Sequence, residues 1–152
     1  MICPVCKGPL TVTVKEQKDF LGGQLTLVSM VCGRNGCPYR TLDILPQEGR
    51  EPSRLTFEVK SEKDLNVLVA RSSTARVIIP EIGATIEPGT ASLGFITTIE
   101  GVLQRFVTHV REPRARRLVK ELLKGKPFTI IIEDPYGNSG INSDRAVAEL
   151  ML

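Results

Sequence analysis

At 152 residues the chain is long enough for one ordinary domain, or for a small module beside a compact domain of about 100 residues, and too short for two full-sized cores. Apolar residues make up 41%, and no run approaches the ~18 consecutive apolar residues of a membrane span, so the expectation is a packed, soluble protein with no membrane partner. The net charge of +3 hides an asymmetry, because Gly101 to Lys126 holds eight Lys/Arg against Glu112 and Glu121, while 5% aromatics and the absence of Trp weigh against a surface of many base-stacking platforms.

The N-terminus opens on Cys3 without a charged segment and apolar stretch of the secretory kind, so a reducing, cytoplasmic compartment is expected. Cys3 and Cys6 stand in "CPVC", Cys32 and Cys37 in "CGRNGC". Two short loops offering two thiolates each supply the tetrahedral corners of one structural Zn2+ with little backbone strain. Disulfides or a redox pair are the competing reading. Against a redox pair, "CKGPLTVTV" leads from Cys6 into a strand, where thioredoxin-like pairs precede a helix. With all four positions filled by cysteine there is no open coordination site, so a catalytic metal is not expected. Gly33 and Gly36 are the residues expected to bend the longer second loop.

Between the cysteine pairs, "LTVTV" at Leu10 to Val14 and "LTLVSMV" at Leu25 to Val31 alternate as strands, with Gly22-Gly23 as the turn signal. Knuckle, hairpin, knuckle is the plan of a zinc ribbon, here residues 1–45. The Pro- and Gly-containing stretch 46–53 reads as a short linker. Residues 54–152 then begin with strand-like runs at Arg54 to Lys60, Asn66 to Arg71, Ala75 to Ile79 and Ala84 to Glu87.

The period then changes. A capping box from Thr97 to Glu100 precedes Ile99, Val102, Leu103, Phe106 and Val110 on one helical face. Pro113 opens a second helix with Leu118, Val119, Leu122 and Leu123 as its buried stripe and Gly125 as its stop, giving a helical hairpin at about 98–125. "PFTIIIEDP" reads as an apolar strand, "YGNSG" as a tight turn, and Ser143 to Leu152 as a short capped helix. The fold class is therefore mainly β (α+β).

Three stretches are candidate sites. The hairpin's basic face, including Arg114 and Arg117, offers a surface for an acidic protein or for nucleic acid, against a bland reading as a solvated face with a Glu112–Arg116 pair. "EDPYGNSG" places Glu133, Asp134, Asn138 and Ser139 at a strand end, where Asx side chains ordinarily build turns. Ser72, Ser73 and Thr74 read as a polar hairpin turn. One histidine, His109, and no phosphate loop leave no catalytic set to assemble, so an enzyme is not expected.

"RSSTARVIIPEIG", "FITTIEGVL" and "PFTIIIEDPYGNSGI", in that order after a four-cysteine finger, resemble the ZPR-type (C4) zinc-finger family over nearly the whole chain. The resemblance implies a double-stranded β-helix-like domain carrying the hairpin, a binding role in place of catalysis, and, as a partner, translation elongation factor 1-alpha, whose folding eukaryotic members assist. Family motif positions fall on Cys3, Cys6, Cys32 and Cys37 for zinc. They fall on Arg71, Ser72, Thr74, Pro80 and Glu81, on Thr97, Thr98, Glu100 and Gly101, and on Asp134, Pro135, Gly137, Asn138 and Ser139 in the β domain. From these, Arg71, Ser72, Thr74, Glu81, Asp134, Asn138 and Ser139, with Arg114 and Arg117, are taken as candidate partner contacts. Eukaryotic members carry the module twice and this chain carries it once, as an archaeal version would. The spacing in "CGRNGC" is wider than the two residues of the family pattern.

Overall fold

The computed structural model describes residues 1–20, 23–89 and 93–151. Strands β1 (Leu10–Phe20), β2 (Gly23–Cys32) and β3 (Arg40–Leu45) form an antiparallel sheet in the order β1-β2-β3. The hairpin is longer than the sequence pattern suggests, because cross-strand pairing continues from Val14 opposite Val28 to Gln17 opposite Leu25. Gly22 of the expected turn lies outside the described residues, and β2 begins at Gly23. β3 is an addition to the expected pattern. Its partner strand and the anchor Ile44, 3% exposed, hold "RTLDIL" extended although its own alternation is weak.

The remaining strands are β4 (Ser53–Val59), β5 (Leu68–Arg71), β6 (Arg76–Ile79), β7 (Ala84–Ile86), β8 (Phe95–Thr98), β9 (Phe128–Asp134), β10 (Gly140–Ile141) and β11 (Val147–Leu150). They make two sheets, β10-β5-β8 and β11-β4-β9-β6-β7. Both contribute to one core: Val69 and Ile141 from the first, and Leu55, Phe57, Val77, Ile130 and Ile132 from the second. Strand parity explains the packing of β9, where Phe128, Ile130 and Ile132 point inward and the intervening residues are half-buried. The same parity carries Asp134 to the inner face.

Helix α1 (Ile99–His109) closes this core with Ile99, Val102, Leu103 and Phe106, and Val110 packs at its margin. Its cap is Thr98, whose Oγ1 accepts from the Gly101 amide at 3.1 Å. The expected cap was Thr97. That residue stays in β8 opposite Val69, so the helix starts one residue later. Helix α2 (Pro113–Leu123) buries Val119 and Leu122, while Leu118, expected in the stripe, is 37% exposed. Glu112 accepts from the Arg114 and Ala115 amides at 2.9 and 2.8 Å, so it caps the helix and does not pair with Arg116 as expected. Gly125, at φ +98°, ends α2 as expected.

The C-terminal helix expected from Ser143 is instead a turn followed by β11, paired antiparallel with β4. Ser143 Oγ does accept from the Arg145 amide, but the chain then extends. Leu25, Ile44 and Ala70, with Leu27 and Ile96 against them, form a second apolar cluster joining the ribbon sheet to the β10-β5-β8 sheet.

Candidate functional site

The first site is the cysteine set. All four Sγ atoms lie within 4.8 Å of one another, with Cys3 to Cys37 at 3.8 Å and Cys6 to Cys32 at 3.4 Å. A tetrahedron with Zn–S near about 2.3 Å has edges of about 3.8 Å, so the sulfurs stand where one zinc needs them. They are too far apart for S–S bonds of about 2.05 Å, and all four are free.

Each knuckle supplies amides to its sulfurs, Val5 to Cys3 and Gly8 to Cys6 at 3.4 Å and Arg34 to Cys32 at 3.5 Å. Without the metal, the Gly8 amide and then the neighbouring thiols hold Cys6 down to about 7. Against the Arg34 amide, burial and the other sulfurs push Cys32 up to about 12. The left-handed residues are Lys7, at φ 64°, and Gly36, at φ 83°. The bend expected of Gly33 and Gly36 together therefore falls on Gly36. Arg34, at the tip of the wider loop, reaches back and donates to the Cys6 carbonyl at 2.9 Å, tying the knuckles together in a way the cysteine spacing does not reveal.

The second site is built around Asp134, which is fully buried. Its Oδ2 accepts from Ser72 Oγ at 2.7 Å, Ser139 Oγ at 2.6 Å and the Asn138 amide at 2.9 Å. Its Oδ1 accepts from the Tyr136 amide at 2.9 Å and Thr74 Oγ1 at 3.2 Å. Ser139 Oγ in turn accepts from the Ser72 amide, and Asn138 Oδ1 from the Gln47 amide. The carboxylate thus staples the β9–β10 turn to the β5–β6 turn. Gly137, at φ +66°, is required in that turn because a Cβ would overlap the Glu51 carbonyl. A cavity of about 290 Å³ lies beside it, bordered by Ser72, Thr74, Tyr136 and Asn138.

Of the candidate partner contacts, Arg71, Ser72, Asp134, Asn138 and Ser139 are buried and bonded to one another or to backbone, with Ser72 and Asn138 at the edge of that cavity and Arg71 on the wall of an open cleft. Thr74 is half-buried, and Glu81, Arg114 and Arg117 are exposed. The sequence pattern missed Asp43, whose Oδ1 accepts from the Gly94 amide at 2.7 Å and so links β3 to the start of β8.

A family model described as the ZPR1 jelly-roll domain matches residues 63–149. A ZPR1-like protein of Methanocaldococcus jannaschii is 34% identical over 98% of this chain and 83% of its own length. The chain belongs to the ZPR1 family. A ZPR1-like protein of Pyrococcus horikoshii is 35% identical over 94% of the chain and 72% of its own length. The zinc finger chaperone zpr1 of Schizosaccharomyces pombe is 34% identical over 78% of the chain but only 29% of its own length. The fold is a four-cysteine zinc ribbon with a ZPR1 jelly roll carrying a two-helix hairpin, and the cysteine cage is its one zinc site. Bound there, zinc would be held by Cys3, Cys6, Cys32 and Cys37 and would cross-link the two knuckles.

Proposed function

We propose that this ZPR1-family chain is a non-enzymatic, zinc-stabilised protein-binding module of the cytoplasm, which binds the translation elongation factor 1-alpha homologue and assists its folding. The observation that carries the reading is the match, over 78% of this chain, to a relative named a zinc finger chaperone. Helix α2 offers a docking face, because Val119 and Leu122 fix it to the core while Arg114 and Arg117 stand in solvent. Glu81 and the half-buried Thr74 are further contacts in this reading. The remaining motif residues act by shaping the turns that support the surface. The non-enzymatic character is supported by Asp134, whose two oxygens are taken by five donors. Residues 1–45 act as the ribbon unit and 54–152 as the second unit. The segment between is bound to both, since the Gln47 amide donates to Asn138 while its side chain donates to Thr26 at 2.8 Å.

The test is refolding of the purified elongation factor from denaturant with zinc-loaded protein, paired with capture of the factor on immobilised protein. The expected result is capture and a raised yield of nucleotide-binding factor, both reduced by Arg114→Glu with Arg117→Glu. No capture and no change in yield would overturn it. The same basic helix favours a second reading as a nucleic-acid binder. That reading requires RNA affinity falling steeply with salt and lost in the same charge-reversed variant.

A further inference from the structure

An open cleft of about 650 Å³ runs between the ribbon and the jelly roll. Three sheet ends meet along it: Arg40, Thr41 and Leu42 come from β3, Ile86 from β7, and Phe95 and Ile96 from β8, each the end strand of its own sheet. Helix α1 contributes Arg105. Arg71 forms part of the wall and is 3% exposed.

The cleft sets Arg40, Arg71 and Arg105 against one acidic side chain, Glu87. Among the described residues no carboxylate lies within ion-pair distance of Arg40, Arg71 or Arg105. Arg71 donates only to neutral carbonyls, Ala75 at 2.9 Å and Leu93 at 3.3 Å. Burial first, and Arg105 second, disfavour its charge, while Asp134 and Asp43 favour it from beyond ion-pair distance. Glu87, also on the wall, is drawn to Arg76 at 3.5 Å. The guanidinium carbons of Arg105 and Arg71 lie 4.1 and 5.5 Å from the Phe95 ring centroid, so the ring helps to orient both cations.

We propose that this cleft receives an extended acidic segment of a protein partner, its backbone lying along the edges of β3 and β8, which pair with no further strand among the described residues, and its carboxylates meeting Arg40 and Arg105. Guanidinium forks match carboxylates bidentately, and an unpaired sheet edge is a template for an added strand. Strand parity puts Arg40 and Leu42 on one face of β3, so an added strand in which carboxylates alternate with apolar residues lines its carboxylates up along one face. The inference rests on the protein-binding reading and adds a recognition chemistry at a place separate from α2.

The test uses the zinc-loaded full chain and a fluorescein-labelled peptide of alternating glutamate and valine, followed by fluorescence anisotropy. Saturable binding that weakens with salt is expected, and the backbone amide signals of Thr41, Leu42, Phe95 and Ile96 should shift in NMR spectra. Arg40→Gln and Arg105→Gln should each weaken binding about tenfold. Lys63→Gln, on an exposed turn elsewhere, should leave it unchanged. Zinc content and thermal midpoint of each variant report that it is folded, and Arg71 is left untouched because of its burial. Absence of saturable binding at low salt, affinity unchanged in both arginine variants, or tighter binding of a single-stranded RNA at the same arginines would each overturn the proposal. If the elongation factor is captured while the peptide does not bind, this inference fails and the protein-binding reading stands.

Discussion

Asp134 shows what a single buried residue can demand of its surroundings. Strand parity places its carboxylate on the inner face, where an unpaired charge is prohibitively unfavourable, and five donors answer it. Each carboxylate oxygen faces a backbone amide, Tyr136 at Oδ1 and Asn138 at Oδ2, so an amide in its place would aim an NH2 at an N–H whichever way it is turned. Asp134→Asn is therefore expected to lower stability by about 3 kcal/mol, read as a shifted urea midpoint with an unchanged slope. Asp64 makes a different case. Its Oδ1 and Oδ2 receive Arg145 at 3.1 and 2.8 Å, and that contact above all holds its carboxyl below the ordinary range. A depressed native value means the contribution is complete above the ordinary carboxylate pKa of about 3.9 and is lost as pH falls through the native value. Acid titration of the urea midpoint should thus fall more steeply below about pH 4 in the wild-type chain than in Asp64→Asn.

At the scale of elements, local sequence decided some outcomes and tertiary pairing others. The helical hairpin was legible because α1 and α2 each carry an apolar stripe of helical period with a start and a stop signal. Its first cap was misplaced by one residue because "TT" offers two hydroxyls, and only the ladder from Thr97 to Val69 decides which of them leaves the strand. Replacing the true cap tests this: Thr98→Ala should cost about 1 kcal/mol, while Thr97→Ala should leave the helix start in place. Circular dichroism during thermal unfolding would register the difference as a lower midpoint for Thr98→Ala. β11 was hidden for the opposite reason. "VAEL" is built of residues content in a helix, and pairing of Val147 to Leu150 with Thr56 to Ser53 overrides that preference. The four ligands of the cysteine cage were legible, since residue type and pairing encode them directly, but the Arg34 tie between the knuckles was not. The arginine cleft was not, because Arg40, Arg71 and Arg105 sit on three elements that only the fold brings together.

Across the whole molecule, stability is unevenly divided. The jelly roll has a core drawn from both its sheets and both helices, whereas among the described residues the buried apolar side chains of the ribbon, beyond Cys3 and Cys32, are Leu25 and Ile44. Those two spend their burial on the seam with Ala70 and so join the units more than they stabilise the ribbon alone. The metal must supply the rest, on the order of 10–16 kcal/mol in comparable zinc peptides at neutral pH. Chelation is accordingly expected to unfold the ribbon first. In hydrogen exchange, amides of β1, β2 and β3 should lose protection on adding a strong chelator while those of β4 and β9 keep theirs, and restoring zinc should reverse it. Acid should act as chelator does. Zinc binds thiolates, and protons compete for the same sulfurs, so each step down in pH strengthens the proton's claim against the metal. The pH at which the ribbon opens should consequently rise as total zinc is lowered, whereas opening of the jelly roll should not respond to zinc. If β4 and β9 lose protection together with the ribbon, the Leu25, Ile44 and Ala70 seam couples the two units into one cooperative whole, and Ile44→Ala should then separate the transitions.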